Sequence, residues 1–263
     1  MMNRRKNKCG FYVLILLVLL SILSLFCVNQ NAYEMGINTK LSPPSFSAFF
    51  GTDSLGRDIF SRTIIGIRYS LFFSILSLVG SSLIGIFLGL LCVRVPKWLD
   101  QTIIRLTDTI NSIPPILTAL VLISIFNKGN ISLIVSLIVV FIPTFVRITR
   151  NKAMEISELE YIQRADTMGA ENWRIMFIHI LPNMKKNIIT TSVIVLTNSI
   201  ILEAALSYLG VGIQPPTPSL GRLLYDGQPI LLNAPWATIF PGLCIIVIIL
   251  CFNSIEKYFE ETI

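Results

Sequence analysis

Long stretches without a charged side chain recur along this sequence, and they constrain its fold more than any other feature. Five of them contain no Asp, Glu, Lys or Arg, and a sixth contains Glu203 alone. A transmembrane helix needs about 20 consecutive apolar residues. The stretches cover residues 11–28, 71–93, 109–127, 131–146, 188–208 and 237–255. The sequence therefore predicts an all-α integral membrane protein with six transmembrane helices, the short fourth one extending towards Arg147.

The distribution of positive charge indicates the orientation of these helices. The chain carries 21 Lys and Arg residues and a net charge of +6. If the N-terminus is placed in the cytoplasm, the cytoplasmic segments hold 15 of the 21 and the outer segments hold 6. Cytoplasmic loops of membrane proteins carry such an excess of Lys and Arg. We therefore expect both termini in the cytoplasm, and the charge does not indicate a nucleic-acid partner.

The first apolar stretch can be read as a membrane anchor or as a cleaved signal peptide. No small-x-small cleavage site follows it, and Phe26 before Cys27 does not suit a lipoprotein cleavage site. We therefore expect an anchor helix and an outer loop over residues 1–70, and a five-helix core over residues 71–263. The 5 cysteines form no CxxC pair, so they predict neither a disulfide framework nor a zinc site.

The outer loop ends in a pattern that predicts a short amphipathic helix over residues 58–68. Its apolar residues fall on one side, so Arg57, Arg62 and Arg68 are expected to face water or lipid headgroups. The glycines of the preceding GTDSLG do not form a phosphate loop, because the chain contains no GxxxxGK[ST] motif. No cofactor is indicated.

Glycines and prolines mark two of the apolar stretches. The small residues of GIFLG, residues 85–89, allow two helices to approach closely, although glycine is common in membrane helices. Pro114 and Pro115 leave backbone carbonyls unpaired, which is tolerated beside protein or a water-filled path. A kink that lines a translocation route and a plain helix irregularity both fit these two prolines.

Glu203 is the one acidic residue well inside a predicted transmembrane helix. A carboxylate at this depth usually faces a partner or a watery cavity. Lining of a substrate path, a proton relay and a structural hydrogen bond within the bundle are all open readings. After this helix, residues 212–229 are rich in proline and glycine, and they predict an outward-facing connector instead of a continuous helix.

A water-exposed insert, about residues 147–186, separates the fourth and fifth predicted helices. Ser157 and Glu160 form an S-x-x-E capping box that predicts the start of a helix, and Gly169 predicts its end. A second helix is expected from about Glu171 to Pro182. Its apolar stripe has helical spacing and consists of Trp173, Met176, Phe177, Ile180 and Leu181. The insert is therefore expected to be a helical hairpin that buries its stripe on the membrane, on its own bundle or on a partner.

The insert and its flanks resemble a known family. YIQRADTMGAENWRIMFIHILPN, residues 161–183, is similar to the EAA loop of ATP-binding-cassette (ABC) importer permeases. GTDSLGRDIFSRTIIGIRYSL and EAALSYLGVGIQPPTPSLG resemble the dipeptide, oligopeptide and nickel permease family, in particular its second, C-type subunit. The likeness covers most of residues 51–225. It implies the type I ABC importer permease fold, in a bacterial inner membrane.

The resemblance also implies partners and site residues. The implied partners are a second homologous permease, two cytoplasmic ATP-binding subunits, an external substrate-binding protein and the lipid bilayer. ATP hydrolysis would belong to the ATP-binding subunits, so this chain is not expected to be an enzyme. The loop would enter a groove on the ATPase and transmit its closure to the bundle. The loop residues expected to do so are Gln163, Ala165, Gly169, Ala170, Trp173, Leu181 and Pro182.

The sequence departs from the family pattern at three positions. Arg164 stands where a second Ala is usual, Asp166 follows where a base or small residue is common, and Leu220 replaces a Trp. The first two are expected to tune which ATPase fits. His179, the only histidine, is expected to be structural and not a metal ligand.

Two other classes of function compete with an importer permease. An ion-coupled secondary transporter would need more intramembrane ionisable groups than Glu203 and usually shows inverted repeats. A purely structural protein leaves the patterned hairpin unexplained. The substrate is left open between a peptide and a chelated metal such as nickel, because the apolar stretches lack clustered metal ligands.

Overall fold

The computed structural model describes residue 33, residues 39–127 and residues 129–262, and these form a bundle of helices. The first predicted transmembrane helix, residues 11–28, lies outside the described residues. The helices are α1 Ile59–Leu91, α2 Lys97–Asn111, α3 Pro115–Phe126, α4 Asn130–Ser157, α5 Glu160–Thr167, α6 Asn172–Arg174, a π-helix Ile175–Ile180, α7 Leu181–Asn183, α8 Lys185–Tyr208, α9 Leu220–Gly227, a 3₁₀ turn Gln228–Ile230 and α10 Trp236–Thr262. Within the described part of the chain the one β-contact is an isolated bridge between Thr52 and Asp58.

Four described helices are long and apolar enough to cross a membrane. They are α1, α4, α8 and the segment Trp236–Phe259 of α10. The pair α2 and α3 passes the same criteria jointly but is bent by 96°. The described residues thus contain four spans, or five if the bent pair counts as one.

The third predicted transmembrane helix is broken in two, so a single kinked helix was wrong. Helix α2 ends at Asn111, and α3 begins at Pro115 with Pro114 as its N-cap. Proline is well suited to the first turn of a helix, where its missing N–H is not needed, but it interrupts a helix interior. With 12 residues, α3 is about 18 Å long, which is less than the roughly 30 Å of a bilayer core.

Helix α1 joins the predicted amphipathic segment to the second predicted span without a break. Asp58 caps it, and its carboxylate accepts a hydrogen bond from the Ser61 backbone N–H at 2.8 Å. The expectation that Arg62 faces water or headgroups was wrong, because this residue is only 2% exposed. Its guanidinium instead lies near the carboxylates of Asp53 and Asp226.

The core of the bundle forms where α1 packs along α4. A Cβ added at Gly85 would lie 2.5 Å from the Cβ of Phe145, and one added at Gly89 would lie 2.6 Å from the Cβ of Thr149. Such distances admit no side chain, so the two backbones approach as closely as glycine allows. The predicted packing face of GIFLG is confirmed.

Candidate functional site

The insert between α4 and α8 is a hairpin of two short helical arms. The first arm is α5, and the second, residues 172–183, consists of α6, the π-helix and α7. Helix α4 runs past its apolar part to Ser157, which places the hairpin beyond the apolar segment. We call residues 160–183 the hairpin below.

The turn of the hairpin has the geometry that the glycine predicts. Gly169 has a φ of +81°, in the left-handed region that other residues adopt with strain. The Ala170 N–H donates to the Ala165 carbonyl at 3.1 Å, and the Gly169 N–H donates to the Asp166 carbonyl at 3.0 Å. These are the two hydrogen bonds of a Schellman motif, which satisfies the last carbonyls of a helix.

The predicted capping box at the start of the first arm was wrong. Ser157 is the last residue of α4, and its hydroxyl donates to the Met154 carbonyl at 2.7 Å. Leu159 is the N-cap of α5, without a side-chain cap. The hydroxyl of a serine in the last turn of a helix finds a carbonyl of its own helix within reach, and this local bond replaces the cap.

The second arm buries only part of the predicted stripe, namely Met176 and Ile180, with Leu181 half-buried. Ile175, Met176, Ile180 and Met184 are buried, whereas Trp173 is 53% and Phe177 41% exposed. The reason is the π-helix over Ile175–Ile180, because i→i+5 hydrogen bonding rotates the later residues relative to a 3.6-residue period. Pro182 does not end the arm either, since α7 continues through it to Asn183.

A buried apolar cluster holds the hairpin on the bundle. Ile162 of the first arm and Ile175 and Ile180 of the second are at most 1% exposed. They pack against Leu90 at the end of α1 and Ala153 of α4. The hairpin is therefore packed against the ends of α1 and α4.

The face of the hairpin that points away from the bundle is apolar in part. Met168 is 87% exposed at the turn, and Trp173, Phe177 and Ile178 of the second arm are exposed as well. Of the predicted coupling residues, Gln163, Gly169, Trp173 and Pro182 are exposed, while Ala165, Ala170 and Leu181 are half-buried. A Cβ added at Gly169 would meet nothing within 4 Å, so the turn projects freely.

Two polar ties that the sequence analysis missed fasten the hairpin. Arg94, just after α1, donates from Nη1 to both carboxylate oxygens of Asp166 at 3.1 Å. The Asn183 side chain donates to the Tyr161 hydroxyl at 2.9 Å and to the His179 carbonyl at 2.6 Å, which joins the two arms. The unusual acid at position 166 was the available signal, but its partner is distant in sequence. Asp166 thus has an intramolecular partner.

Glu203 lies in a closed polar site between α8 and the connector that follows it. Its side chain is fully buried, and the Ser207 hydroxyl donates to its Oε1 at 2.7 Å. The Ser207 hydroxyl in turn accepts from the Ile213 N–H at 3.1 Å. The hydroxyls of Ser70 and Ser219 lie near the carboxyl group, although its Oε2 has no hydrogen bond of good geometry. This arrangement favours the structural reading of Glu203.

The rest of the motif EAALSYLGVGIQPPTPSLG, which begins at Glu203, packs around this site. Ser219 caps α9 by accepting from the Arg222 N–H. Gly221 packs so closely on α8 that an added Cβ would lie 2.1 Å from the Ala204 carbonyl oxygen. Leu220, which stands where the family pattern has a Trp, is fully buried in an apolar cluster with α1 and α10. The motif joins three helices to the connector.

Comparison with known proteins identifies this architecture. Residues 81–263 match the family described as the inner membrane component of binding-protein-dependent transport systems. The chain belongs to this family. It is therefore an inner-membrane permease subunit of an ABC importer, as the resemblance of its motifs implied.

Curated relatives align over most of their length. The dipeptide transport system permease protein DppC of Alkalihalophilus pseudofirmus is 34% identical over 254 residues, which cover 95% of this chain and 84% of the relative. The glutathione transport system permease protein GsiD of Pectobacterium atrosepticum is 39% identical over 210 residues, with coverages of 80% and 70%. The oligopeptide transport system permease protein OppC of Bacillus subtilis is 32% identical over 258 residues, with coverages of 97% and 85%.

Solved structures of ABC transporters share the fold. The methionine transporter MetNI in an inward-facing conformation aligns with a TM-score of 0.59 at 21% identity, over 74% of this chain and 94% of its own. An amino acid ABC transporter crystallised with histidines aligns with a TM-score of 0.58 at 16% identity, with coverages of 78% and 95%. The predicted type I importer permease fold is confirmed.

The two prolines predicted as possible pathway residues and one polar residue of α8 are exposed. Pro114 and Pro115 are exposed at the break between α2 and α3, and Asn198 is exposed in the middle of α8. The amide of Asn198 on an apolar span faces a partner or water more readily than lipid. The sequence analysis did not single out Asn198, because an uncharged Asn is a weaker signal than the acidic Glu203. Within the described residues no group of three or more His, Cys, Asp or Glu side chains is placed to hold a metal ion.

Proposed function

We propose that this permease forms half of the translocation pathway of an ATP-driven importer for peptides, and that its hairpin couples the pathway to a cytoplasmic ATPase. The curated relatives named above are permeases for dipeptides, oligopeptides and glutathione. A metal chelate such as a nickel complex is the alternative cargo. The observation that carries the coupling role is the hairpin itself, which packs on the bundle through a buried apolar cluster and exposes Met168 and Trp173.

The exposed tip supports an ATPase partner. Met168 and Trp173 expose large apolar surfaces on a segment that lies beyond the apolar part of α4. Aromatic and Met side chains are enriched in protein interfaces, where their burial supplies binding energy. Gln163, Ala165, Gly169, Ala170, Leu181 and Pro182 complete the proposed contact and its support.

The remaining partners follow from this function. A second homologous permease would supply the other half of the pathway, two ATP-binding subunits would drive it, and an external binding protein would deliver the substrate. The permease itself is non-catalytic, since its sequence has no P-loop motif. Both termini and the hairpin lie in the cytoplasm in this proposal. An ion-coupled carrier is not favoured, because Glu203 is fully buried among hydroxyls.

Gly169 and Ala165 provide the test of coupling. Gly169→Asp introduces strain at a φ of +81° and a charge into the proposed groove. Ala165→Asp places a charge at a half-buried position, with a desolvation penalty of roughly 1–3 kcal/mol. We expect both variants to reach the membrane at normal levels but to lose peptide uptake and co-purification of the ATPase.

Gly129→Asp is the matched control. An added Cβ at Gly129 also meets nothing within 4 Å, its φ of 167° suits any residue, and the position precedes α4 at the end away from the hairpin. This variant should transport normally. Unaltered uptake and ATPase recruitment in Gly169→Asp and Ala165→Asp would exclude the hairpin as the motor contact.

A further inference from the structure

A cluster of buried charges surrounds the beginning of α1, far from the hairpin. Arg57 Nε lies 2.7 Å from Asp53 Oδ2, and Arg222 Nε lies 3.0 Å from Asp226 Oδ1. Arg62 lies between the two acids, with Nη2 3.4 Å from Asp226 Oδ2 and Nη1 3.9 Å from Asp53 Oδ2. Three guanidinium groups therefore share two carboxylates, which leaves one positive charge without a counter-charge in this cluster.

Arg62 is the least accessible of the three arginines, and its one hydrogen bond to the two acids is the long one to Asp226 at 3.4 Å. The side chain of Arg62 is 3% exposed, and its Nε and Nη1 are buried without a hydrogen bond. Asp53 is shared further, because its Oδ1 accepts from the backbone N–H groups of Leu55 and Arg57. A buried cation with unsatisfied N–H groups, in a cluster with an excess of positive charge, is unfavourable, so an anion that binds next to it is stabilised.

A cavity of about 630 Å³ opens onto these arginines. Arg57, Arg62 and Arg222 line it together with apolar residues that include Pro215, Tyr225 and Pro229. The side chains of Arg57 and Arg222 are 13% and 18% exposed and that of Arg62 is 3% exposed, so Arg62 is the most deeply buried of the three. Small-molecule sites have this size and this combination of apolar walls with a few converging polar groups.

The position of the cavity relates it to transport. Arg57 and Arg62 stand at the start of α1, whereas the hairpin packs on Leu90 at its end. The 33 residues of α1 span about 50 Å. The cavity therefore lies at the end of the bundle opposite the hairpin.

We propose that this cavity binds the terminal carboxylate of the transported peptide. Guanidinium groups bind carboxylates through paired N–H donors, more strongly than they bind neutral acceptors. The terminal nitrogens of Arg57 are available, since Nη2 is 3.9 Å from Asp226 and so beyond hydrogen-bonding distance. The concave shape and the burial of Arg62 favour a small ligand over a side chain on the surface of another protein. The proposal rests on the proposed peptide function and adds a site to it.

Binding of a matched pair of peptides to the assembled transporter tests the proposal. Labelled trialanine and labelled trialanine amide, which lacks the carboxylate, are titrated against the complete transporter in nanodiscs without its binding protein. We expect trialanine to bind at least about tenfold more tightly than the amide. Arg222→Gln should remove this preference and leave binding of the amide unchanged.

Further variants separate charge from folding. Arg57→Gln should act like Arg222→Gln, and Arg57→Lys should recover part of the preference because it restores the charge without the paired donors. Arg105→Gln, an exposed arginine of α2 outside the cavity, is the matched control and should bind as the wild type does. Thermal melting of each purified complex identifies variants that fail to fold, and those are replaced by the Lys substitution at the same position.

Three outcomes would overturn the proposal. They are equal binding of the two peptides by the wild type, no measurable binding of trialanine, and an unchanged preference in folded Arg222→Gln and Arg57→Gln. Weaker capture of the binding protein by these variants, with trialanine binding unchanged, would assign the cavity to protein docking instead. A transporter that recruits its ATPase and imports peptide but fails this test leaves the proposed function intact.

Discussion

At position 203 a carboxyl group lies among hydroxyls inside the bundle, and its role depends on what each oxygen contacts. Oε1 accepts from Ser207, which links α8 to Ile213 of the connector. A glutamine at this position keeps the shape and the acceptor, while an alanine removes both. The buried carboxyl group of Glu203 is thus expected to stabilise the fold of the bundle.

Glu203→Gln should reach the membrane at the wild-type level and retain most peptide uptake. Glu203→Ala should lower the free energy of unfolding by about 2–4 kcal/mol, because it leaves the Ser207 hydroxyl without an acceptor and creates a cavity. Immunoblots of membranes and uptake of a labelled peptide measure the level and transport of each variant, and denaturant unfolding of the purified protein measures the loss of stability. If Glu203→Gln abolished uptake at normal protein levels, the carboxylate would belong to the translocation pathway.

Cys92 should react unusually slowly with thiol reagents. Burial, with the nearby charge of Asp100, raises the pKa of its thiol to about 11. The reactive thiolate is scarce below the pKa, so at pH 8 we expect maleimide labelling at least about 100-fold slower than for an exposed cysteine. The measurement uses a variant whose other four cysteines are serine, with a cysteine in place of exposed Ser54 as the control. Equal rates at the two positions would show that Cys92 is not buried.

At the scale of elements, the hairpin shows which local features can be predicted from a sequence pattern and which cannot. The turn at Gly169 was predictable because a local rule governs it: a left-handed residue after a helix is usually glycine. The stripe of the second arm was predicted only in part: Met176 and Ile180 are buried, but Trp173 and Phe177 are exposed, because the π-helix changes the period with which the stripe was counted. The hydrogen-bond geometry of the second arm therefore determines which of its apolar residues, such as Trp173, are exposed.

The tie between Arg94 and Asp166 should matter for the orientation of the hairpin. Arg94 is 14% exposed and Asp166 51%, so the pair is only partly screened by water. Arg94→Asp should reduce uptake strongly, because two acids would then face each other, and Arg94→Asp combined with Asp166→Arg should restore most of it. Uptake relative to membrane level is the measurement.

Lys152 and Glu155 provide the comparison for this charge swap. They form an exposed pair at 2.7 Å on α4, away from the exposed tip of the hairpin. Lys152→Glu is expected to leave uptake unchanged, since surface ion pairs contribute about 0–1 kcal/mol. If Arg94→Asp combined with Asp166→Arg were as inactive as Arg94→Asp alone, the ion pair between these residues would have no role in transport.

At the scale of the whole molecule, α1 shows two faces. Its small residues pack on α4, while Phe72, Val79, Leu83 and Phe87 are exposed on its other sides. An apolar surface of this kind suits lipid or a second permease. The hairpin at one end and the arginine cavity at the other define the two ends of the bundle.

Reporter fusions test the orientation of that bundle. Fusions after Asn29 and after Asn130 should report the outer side, and a fusion within residues 157–182 should report the cytoplasm, because positive charge is retained inside. Alkaline phosphatase, active only outside, and green fluorescent protein, fluorescent only inside, give opposite readouts. An external signal from the hairpin would contradict the topology and the coupling role together.

The sequence by itself determined the membrane class, the approximate position of four spans, the glycine turn and the family, because these depend on local composition and on short ordered motifs. Only the tertiary structure decided that Pro114 and Pro115 separate two helices bent by 96°, that Arg62 is buried, and that Asp166 pairs with Arg94. These depend on contacts between residues far apart in the chain, such as Arg62 with Asp226. A charged residue near an apolar run looks exposed in a sequence, and only its distant partners make its burial possible.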